Sequence, residues 1–297
     1  MNSSLLVSAI GFGLVTASIL AVSAVGFTLQ FSVTNILNLA YGDIMTACAF
    51  AAYLANHAGV NIWISLVVAA IFGGVFSMLL NRFVYFGFVR RGTKLFGMII
   101  VTIAVSLIIQ NLLLAIFRPT FFSYQSSPGP SYRLGSMIFT ASQLTIMGIA
   151  LVAMLCVHLL LTQTQLGKAM RATATNPGLA RSCGIATDRV IDVAWLVSGA
   201  LCGVAGVALV LNTATFSETT GAGFLVPIIA AAVLGGIGQP YGAMLGALTI
   251  GLAGEMAAAL INPSYKDVVA FAILIVVLLV RPQGILSEIA AAKEVTA

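Results

Sequence analysis

Few side chains in this 297-residue sequence are of a kind that performs chemistry. The two histidines, His57 and His158, stand alone. Metal sites need several ligands at short spacing, and a nucleophile needs a base beside it, so neither a metal site nor a catalytic residue is expected. A hydrolytic intramembrane enzyme therefore finds no support in spacing. Of the cysteines, Cys48, Cys156 and Cys202 lie in apolar stretches and read as small buried hydrophobes, and with Cys183 they form no C-x-x-C pair. Gly167-Lys168 is followed by Ala169, so the Ser or Thr of a phosphate-cradling loop is missing and no cofactor is expected in this chain. What remains is a handful of polar groups inside apolar runs. Asn38, Asp43, Gln110, Asn111 and Glu255 are the candidates for a translocation path, because such groups normally face a bundle interior or an aqueous cavity. Four of them also have a structural alternative: an acid near a helix end or one paired structurally for Asp43 and Glu255, the latter close to the outer interface, and helix–helix hydrogen bonding for Gln110 and Asn111.

The elements that hold these groups follow from composition. The chain is 60% hydrophobic and only 7% charged, with mean hydropathy +1.11, whereas soluble domains carry about 25% charged residues. An ordinary cytosolic enzyme is excluded. At about 20 residues per crossing, the apolar content predicts an all-α polytopic membrane protein with about eight to nine transmembrane or partly re-entrant helices. The whole of 1–297 reads as one transmembrane domain. A net charge of +5 needs no nucleic acid, since the basic residues concentrate in two loops, as cytoplasmic loops of membrane proteins do. Met1 to Leu6 has no basic residue, so no cleaved signal peptide is expected.

Uncharged runs place spans near 5–29, 36–56, 62–82, 96–117, 143–163 and 190–211, with Ser32 to Asn35 dividing the first two. A run at 225–261 is broken by Gly235-Gly236-Ile237-Gly238-Gln239-Pro240, and its first half is too short to span a core of about 30 Å. The last run, 266–281, has Lys266 and Arg281 placed to snorkel at its ends. Arg82, Arg90, Arg91 and Lys94 form one basic loop, and Lys168, Arg171, Arg181 and Arg189 the other. Both are assigned to the cytoplasm, which puts 118–142, with its turn at 126–130, outside. If 225–261 crosses twice the C-terminus is inside, which suits Arg281 and Lys293; if once, outside.

Two patterns concern packing and docking. Gly238, Gly242 and Gly246 recur every four residues, and Gly199 and Gly203 repeat the spacing, as in helix faces that let backbones approach closely, within this chain or with another subunit. The segment 164–189 predicts a short helix over 166–175, with Leu166, Ala169, Met170 and Ala174 toward one side. Asn176-Pro177 then opens a second short helix that ends at Gly184. Small and basic residues on such a pair suit docking into another protein's groove. A basic loop resting on membrane lipid would explain the charge but not the Ala/Gly pattern.

Gly167-x-Ala169-x-Arg171-Ala172, followed by Asn176, Ala180 and Gly184-Ile185, resembles the ATPase-coupling loop of ABC-importer permeases. More specifically, the chain resembles the LivH-type branched-chain amino acid permeases. The stretch Asn38 to Asp43, the stretch Ala232 to Gly238, and Tyr265 to Val269 running on to Pro282-Gln283-Gly284-Ile285-Leu286 agree with that family. Tyr41-Gly42-Asp43 departs from the His-Gly-Glu that members often carry. The resemblance implies a non-catalytic permease subunit in a bacterial inner membrane, one of two permeases in a homo- or heterodimer. Two ATP-binding subunits would supply ATP and Mg, and an extracytoplasmic binding protein would deliver the substrate. Related permeases serve urea, short amides or aromatic acids, so these stand beside branched-chain amino acids. An ion-coupled carrier or channel working alone is the rival reading, with Asp43, Glu255 and the 235–240 break as its features.

The orientation is directly testable in a chain whose native cysteines have been replaced. A cysteine at Ser127 should react with a membrane-impermeant thiol reagent from outside, and one at Thr93 should not. Reversed labelling would overturn the assignment.

Overall fold

The computed structural model describes residues 3–126, 129–134, 137–280 and 284. Ser127, Pro128 and the C-terminal residues Arg281, Pro282, Gln283, Ile285, Leu286 and Lys293, on which parts of the sequence reading rest, lie outside them. The described chain is almost wholly helical, as predicted. Helices α1 (Ser3–Thr34), α2 (Tyr41–His57) and α3 (Ile62–Leu80) come first; a π-turn over Asn81–Tyr85 then leads into α4 (Phe86–Arg90), followed by α5 (Leu95–Phe117). A hairpin of β1 (Ser131–Leu134) and β2 (Met137–Thr140) precedes α6 (Ala141–Gln163). Then come α7 (Gln165–Thr175), α8 (Pro177–Ser182), α9 (Thr187–Thr213), α10 (Thr220–Gly235), α11 (Pro240–Leu260) and α12 (Lys266–Val280).

Seven helical stretches among the described residues are long and apolar enough to cross a membrane. The others of note are α2, with 17 residues, and α10, with 16. The hydroxyls of Ser32 and Thr34 donate to the carbonyls of Leu29 and Gln30 at 2.8 and 2.7 Å. The Ser32–Asn35 string divides the first two spans as expected, with its first residues forming the last turn of α1, where these hydroxyls find partners. Asn35, at φ 54°, ends the helix.

The chain divides into two compact units. The larger comprises 29–125 and 152–223. Its centre is α3 against α9, where an added Cβ at Gly199 would collide with the Gly73 carbonyl, and one at Gly203 with that of Ala69. Helix α2 is buried against both of them; Gly206 of α9 packs on Met45, and Gly42 meets Gly221 at the start of α10. Phe122 and Phe216 exchange backbone hydrogen bonds of 2.8 and 2.9 Å and stack around Phe50 with Phe117, closing the far end of α2.

The smaller unit comprises 1–28, 126–151 and 224–297. Gly242 and Gly246 of α11 pack on Gly235 and Ala231 of α10, and Gly251 packs on Ala17 of α1. Gly238 is a correction to the four-residue stripe. Pro240 sets the first turn of α11, so Gly238 lies in the preceding turn at φ 92° and shares no helix face with Gly242. Cys156 is exposed, whereas Cys48 and Cys202 are buried as expected.

Substitution should separate packing glycines from open ones. Gly203→Leu and Gly242→Leu force backbones apart, at roughly 1–3 kcal/mol or more, and should lower the yield of monodisperse protein. Gly254→Leu, with no neighbour within 4 Å, should leave it near the native level. Equal behaviour of all three would contradict the packing described.

Candidate functional site

The segment 164–189 folds as the two short helices its sequence predicts. Thr164 caps α7, its hydroxyl accepting from the Gly167 amide at 3.0 Å, and Asn176 caps α8 by accepting from the Leu179 amide at 3.0 Å. Pro177 occupies the first turn of α8, where its missing N–H is no loss. At the other end, the Ile185 amide donates to the Ala180 carbonyl and the Gly184 amide to that of Arg181, both at 3.0 Å. This is the Schellman closure, and it requires the left-handed φ of 86° that Gly184 supplies.

The buried side of α7 consists of Gly167, Met170 and Thr173. Ala174 is exposed, so the buried stripe is rotated from the side expected. Gly167 is small because the chain doubles back there: an added Cβ would strike the backbone of Leu160 and Leu161. Arg171 donates to the Leu161 carbonyl at the end of α6, which caps an orphan acceptor and ties α7 down. Ala169, Ala172 and Ile185 are half-buried, and Ala180 is buried under α8.

The exposed apolar contact is one the sequence reading did not single out. Leu179 is 62% exposed on α8, flanked by the exposed Pro177 and Gly178. Its only signal was a large aliphatic side chain amid small residues directly after the Asn-Pro turn.

Three sets of polar contacts, spaced along α9 and the π-turn, lie inward from this pair of helices. Arg181 donates to the Thr187 hydroxyl at 2.9 Å and to Asp188 at 3.0 Å, both in the first turn of α9. One turn further on, Asp192 accepts from Asn81 at 3.0 Å and from Arg82 at 2.8 Å, both in the π-turn. That turn also directs Tyr85 inward, where its hydroxyl donates to Asn38 at 3.2 Å. The π-turn and Asp192 were not flagged in the sequence; a wider turn inside a helix leaves no mark in hydrophobic periodicity.

The intramembrane polar candidates separate by environment. Asn38 and Asp43 are fully buried around the start of α2, and Asp43 accepts from Ser106 of α5. Gln110 is half-buried, while Asn111 is exposed and donates to the Leu107 carbonyl of its own helix at 2.8 Å. Glu255 belongs to the other unit, where it accepts from Thr16 at 2.8 Å and from Lys266 at 2.6 Å. Lys266 therefore serves as the partner of a carboxylate and not as a snorkelling end group. Among the described residues, no three metal-ligating side chains cluster.

Residues 9–278 match the family model described as "Branched-chain amino acid transport system / permease component". The high-affinity branched-chain amino acid transport system permease protein LivH of Escherichia coli (strain K12) is 31% identical over 291 residues, covering 93% of this chain and 94% of LivH. BraD of Pseudomonas aeruginosa, described as a permease protein of the same kind of system, is 30% identical, with 93% and 94% covered. PsaBC from Streptococcus pneumoniae, solved in complex with Fab, shares the fold at TM-score 0.53 and 13% identity, covering 92% of each chain. The chain belongs to the branched-chain amino acid transport permease family and is a multi-pass protein of the bacterial inner membrane.

Asp192 offers a direct check on these inward contacts. Asp192→Ala strands the buried Asn81 amide, while Arg82 stays exposed to solvent, and should lower stability by roughly 1–3 kcal/mol, the range for a buried donor left unsatisfied. Asp192→Asn keeps an acceptor and should lose less. An unchanged thermal midpoint in Asp192→Ala would show the contacts to be slack.

Proposed function

We propose that this family member is the permease subunit of a binding-protein-dependent ABC importer for branched-chain or related amino acids, and that α7 and α8 dock on an ATP-binding subunit. The reading is carried by one observation: two capped short helices present Leu179 directly after the exposed Pro177 and Gly178, while Arg171, Gly167 and Arg181 anchor them to the membrane helices behind. An apolar knob with small neighbours fits a partner groove, and a rigid mount transmits the partner's motion. Hydrolysis of ATP, with its Mg, takes place in two partner subunits; this chain contributes a path and a mechanical link. A second, similar permease completes the pathway as a heterodimer, and an extracytoplasmic protein delivers substrate. Urea, short amides and aromatic acids are the alternative cargoes.

Arg181 bonded to Asp188, Asp192 one turn along the same helix bonded to Asn81, and Tyr85 of the π-turn bonded to Asn38 give the link a physical route into the bundle, carried between these contacts by the helices themselves. A carrier driven by ions alone has less behind it, since Glu255, one of its two candidate acids, is already neutralised by Lys266.

The test is ATP hydrolysis by the reconstituted complex, with and without substrate-loaded binding protein. Leu179→Ala should weaken ATPase docking roughly tenfold. Gly184→Trp strains the closure of α8 and should abolish stimulation, and Arg171→Ala should reduce it, all three without loss of membrane insertion. Wild-type assembly, stimulation and uptake in all three would remove this pair of helices from the mechanism. Ion-driven uptake by the chain alone would replace the importer with the rival reading.

A further inference from the structure

Beside α8 lies a cleft of about 490 Å³ within the larger unit. It is bounded by the last turn of α1, by the π-turn and α4, and by the first turns of α8 and α9. Three of these boundaries are ends of membrane-length helices, at Thr34, Arg90 and Thr187, so the cleft sits at the level of lipid headgroups. Its wall is apolar, formed by Val33, Ile36, Phe86 and Val89. Two guanidiniums, Arg90 and Arg181, stand in the lining.

Arg90 rests 4.7 Å over the face of Phe86, and no hydrogen bond or ion pair holds it among the described residues. The aromatic ring orients the guanidinium and leaves its N–H edge available. Arg181 commits Nε and one terminal nitrogen to Thr187 and Asp188. The Asp188 carboxylate in the lining is therefore already balanced, and a net positive charge remains. The volume is in the range that holds a small-molecule headgroup.

We propose that this cleft binds one anionic phospholipid, its phosphate on Arg90 and Arg181 and the start of its acyl chain along Val33, Ile36 and Val89. Continuity with a lipid-facing surface selects a lipid over a protein segment. Val89 is 48% exposed and Phe83, on the same span, 78% exposed, and such a surface beside a cationic recess matches a molecule with an apolar tail and an anionic head. The inference rests on the proposed orientation, which places the cleft in the cytoplasmic leaflet. A lipid seated there would brace α8 against α4 and make the mount of the coupling helices dependent on membrane composition.

Brominated-lipid quenching tests this in the full-length chain in vesicles, with no ATP, substrate or partner subunit, so its failure leaves the importer reading standing. A Val89→Trp variant reports on the cleft, and the native chain sets the background from Trp63 and Trp195. In phosphatidylcholine vesicles, dibromo-phosphatidylglycerol should quench at a mole fraction about fivefold lower than dibromo-phosphatidylcholine, the preference expected from one basic residue. Arg90→Gln should erase that preference and Arg90→Lys keep most of it. As a second measurement free of the tryptophan, the native chain purified in mild detergent should retain phosphatidylglycerol above its bulk proportion, and Arg90→Gln should not. Equal quenching by the two lipids, or an unchanged Arg90→Gln, overturns the proposal. So does release of the lipid by millimolar glycerol phosphate, which would mark a site for free phosphate. Displacement by added ATP-binding subunits would assign the cleft to a protein partner and overturns it as well.

Discussion

The larger unit depends on the approach of α3 and α9 to backbone contact at Gly73, Gly199 and Gly203. In a membrane, lipid tails solvate apolar side chains as well as a neighbouring helix does, so association relies on dispersion contacts and on hydrogen bonds between helices. Each dispersion contact is worth only about 0.1–0.2 kcal/mol, and many are needed. Glycine supplies them by removing the side chain that would hold two backbones apart. The same device recurs between α10 and α11 at Gly235, Gly242 and Gly246.

That close seam also determines where polar groups go. With α3 pressed against α9, residues at helical spacing along both helices face one another, and the π-turn carries Asn81, Arg82 and Tyr85 onto Asp192 and Asn38. A rigid pair of helices ending in a polar clasp is a suitable base for α7 and α8. The caps at Thr164 and Asn176, the left-handed Gly184 and the Arg171 tie to α6 then fix the geometry of the presented surface. Function enters through rigidity: a mount that yielded under load would dissipate the motion it is proposed to transmit.

Much of this was legible in the residues. Apolar runs marked the long helices because a membrane span needs about 20 apolar residues in sequence, and the two short helices of 164–189 were legible from Asn176-Pro177 and Gly184, whose backbone demands are local. What was not legible depended on distant partners. The Glu255–Lys266 pair and the Asp43–Ser106 bond join separate helices, and periodicity carries no information about which helices meet. Gly238 was misplaced on a helix face because four-residue spacing holds in a turn as readily as in a helix, and Pro240 decides the matter. The exposure of Leu179 was not legible because small-residue spacing does not say which side of so short a helix faces the fold, and it is Ala180 that is buried. The hairpin at 131–140 is four residues a strand, too short to show alternation.

The exposed face of α8 is the surface proposed to meet an ATP-binding subunit. Site-specific photocross-linking from position 179 in the intact inner membrane tests it most directly, with position 111 of α5, exposed on a membrane helix, as the comparison. A cross-link from 179 to an ATP-binding subunit, changing in yield when ATP is added, with none from 111, is the predicted result. Cross-links from 179 to lipid alone, or equal cross-links to that subunit from both positions, would contradict the account.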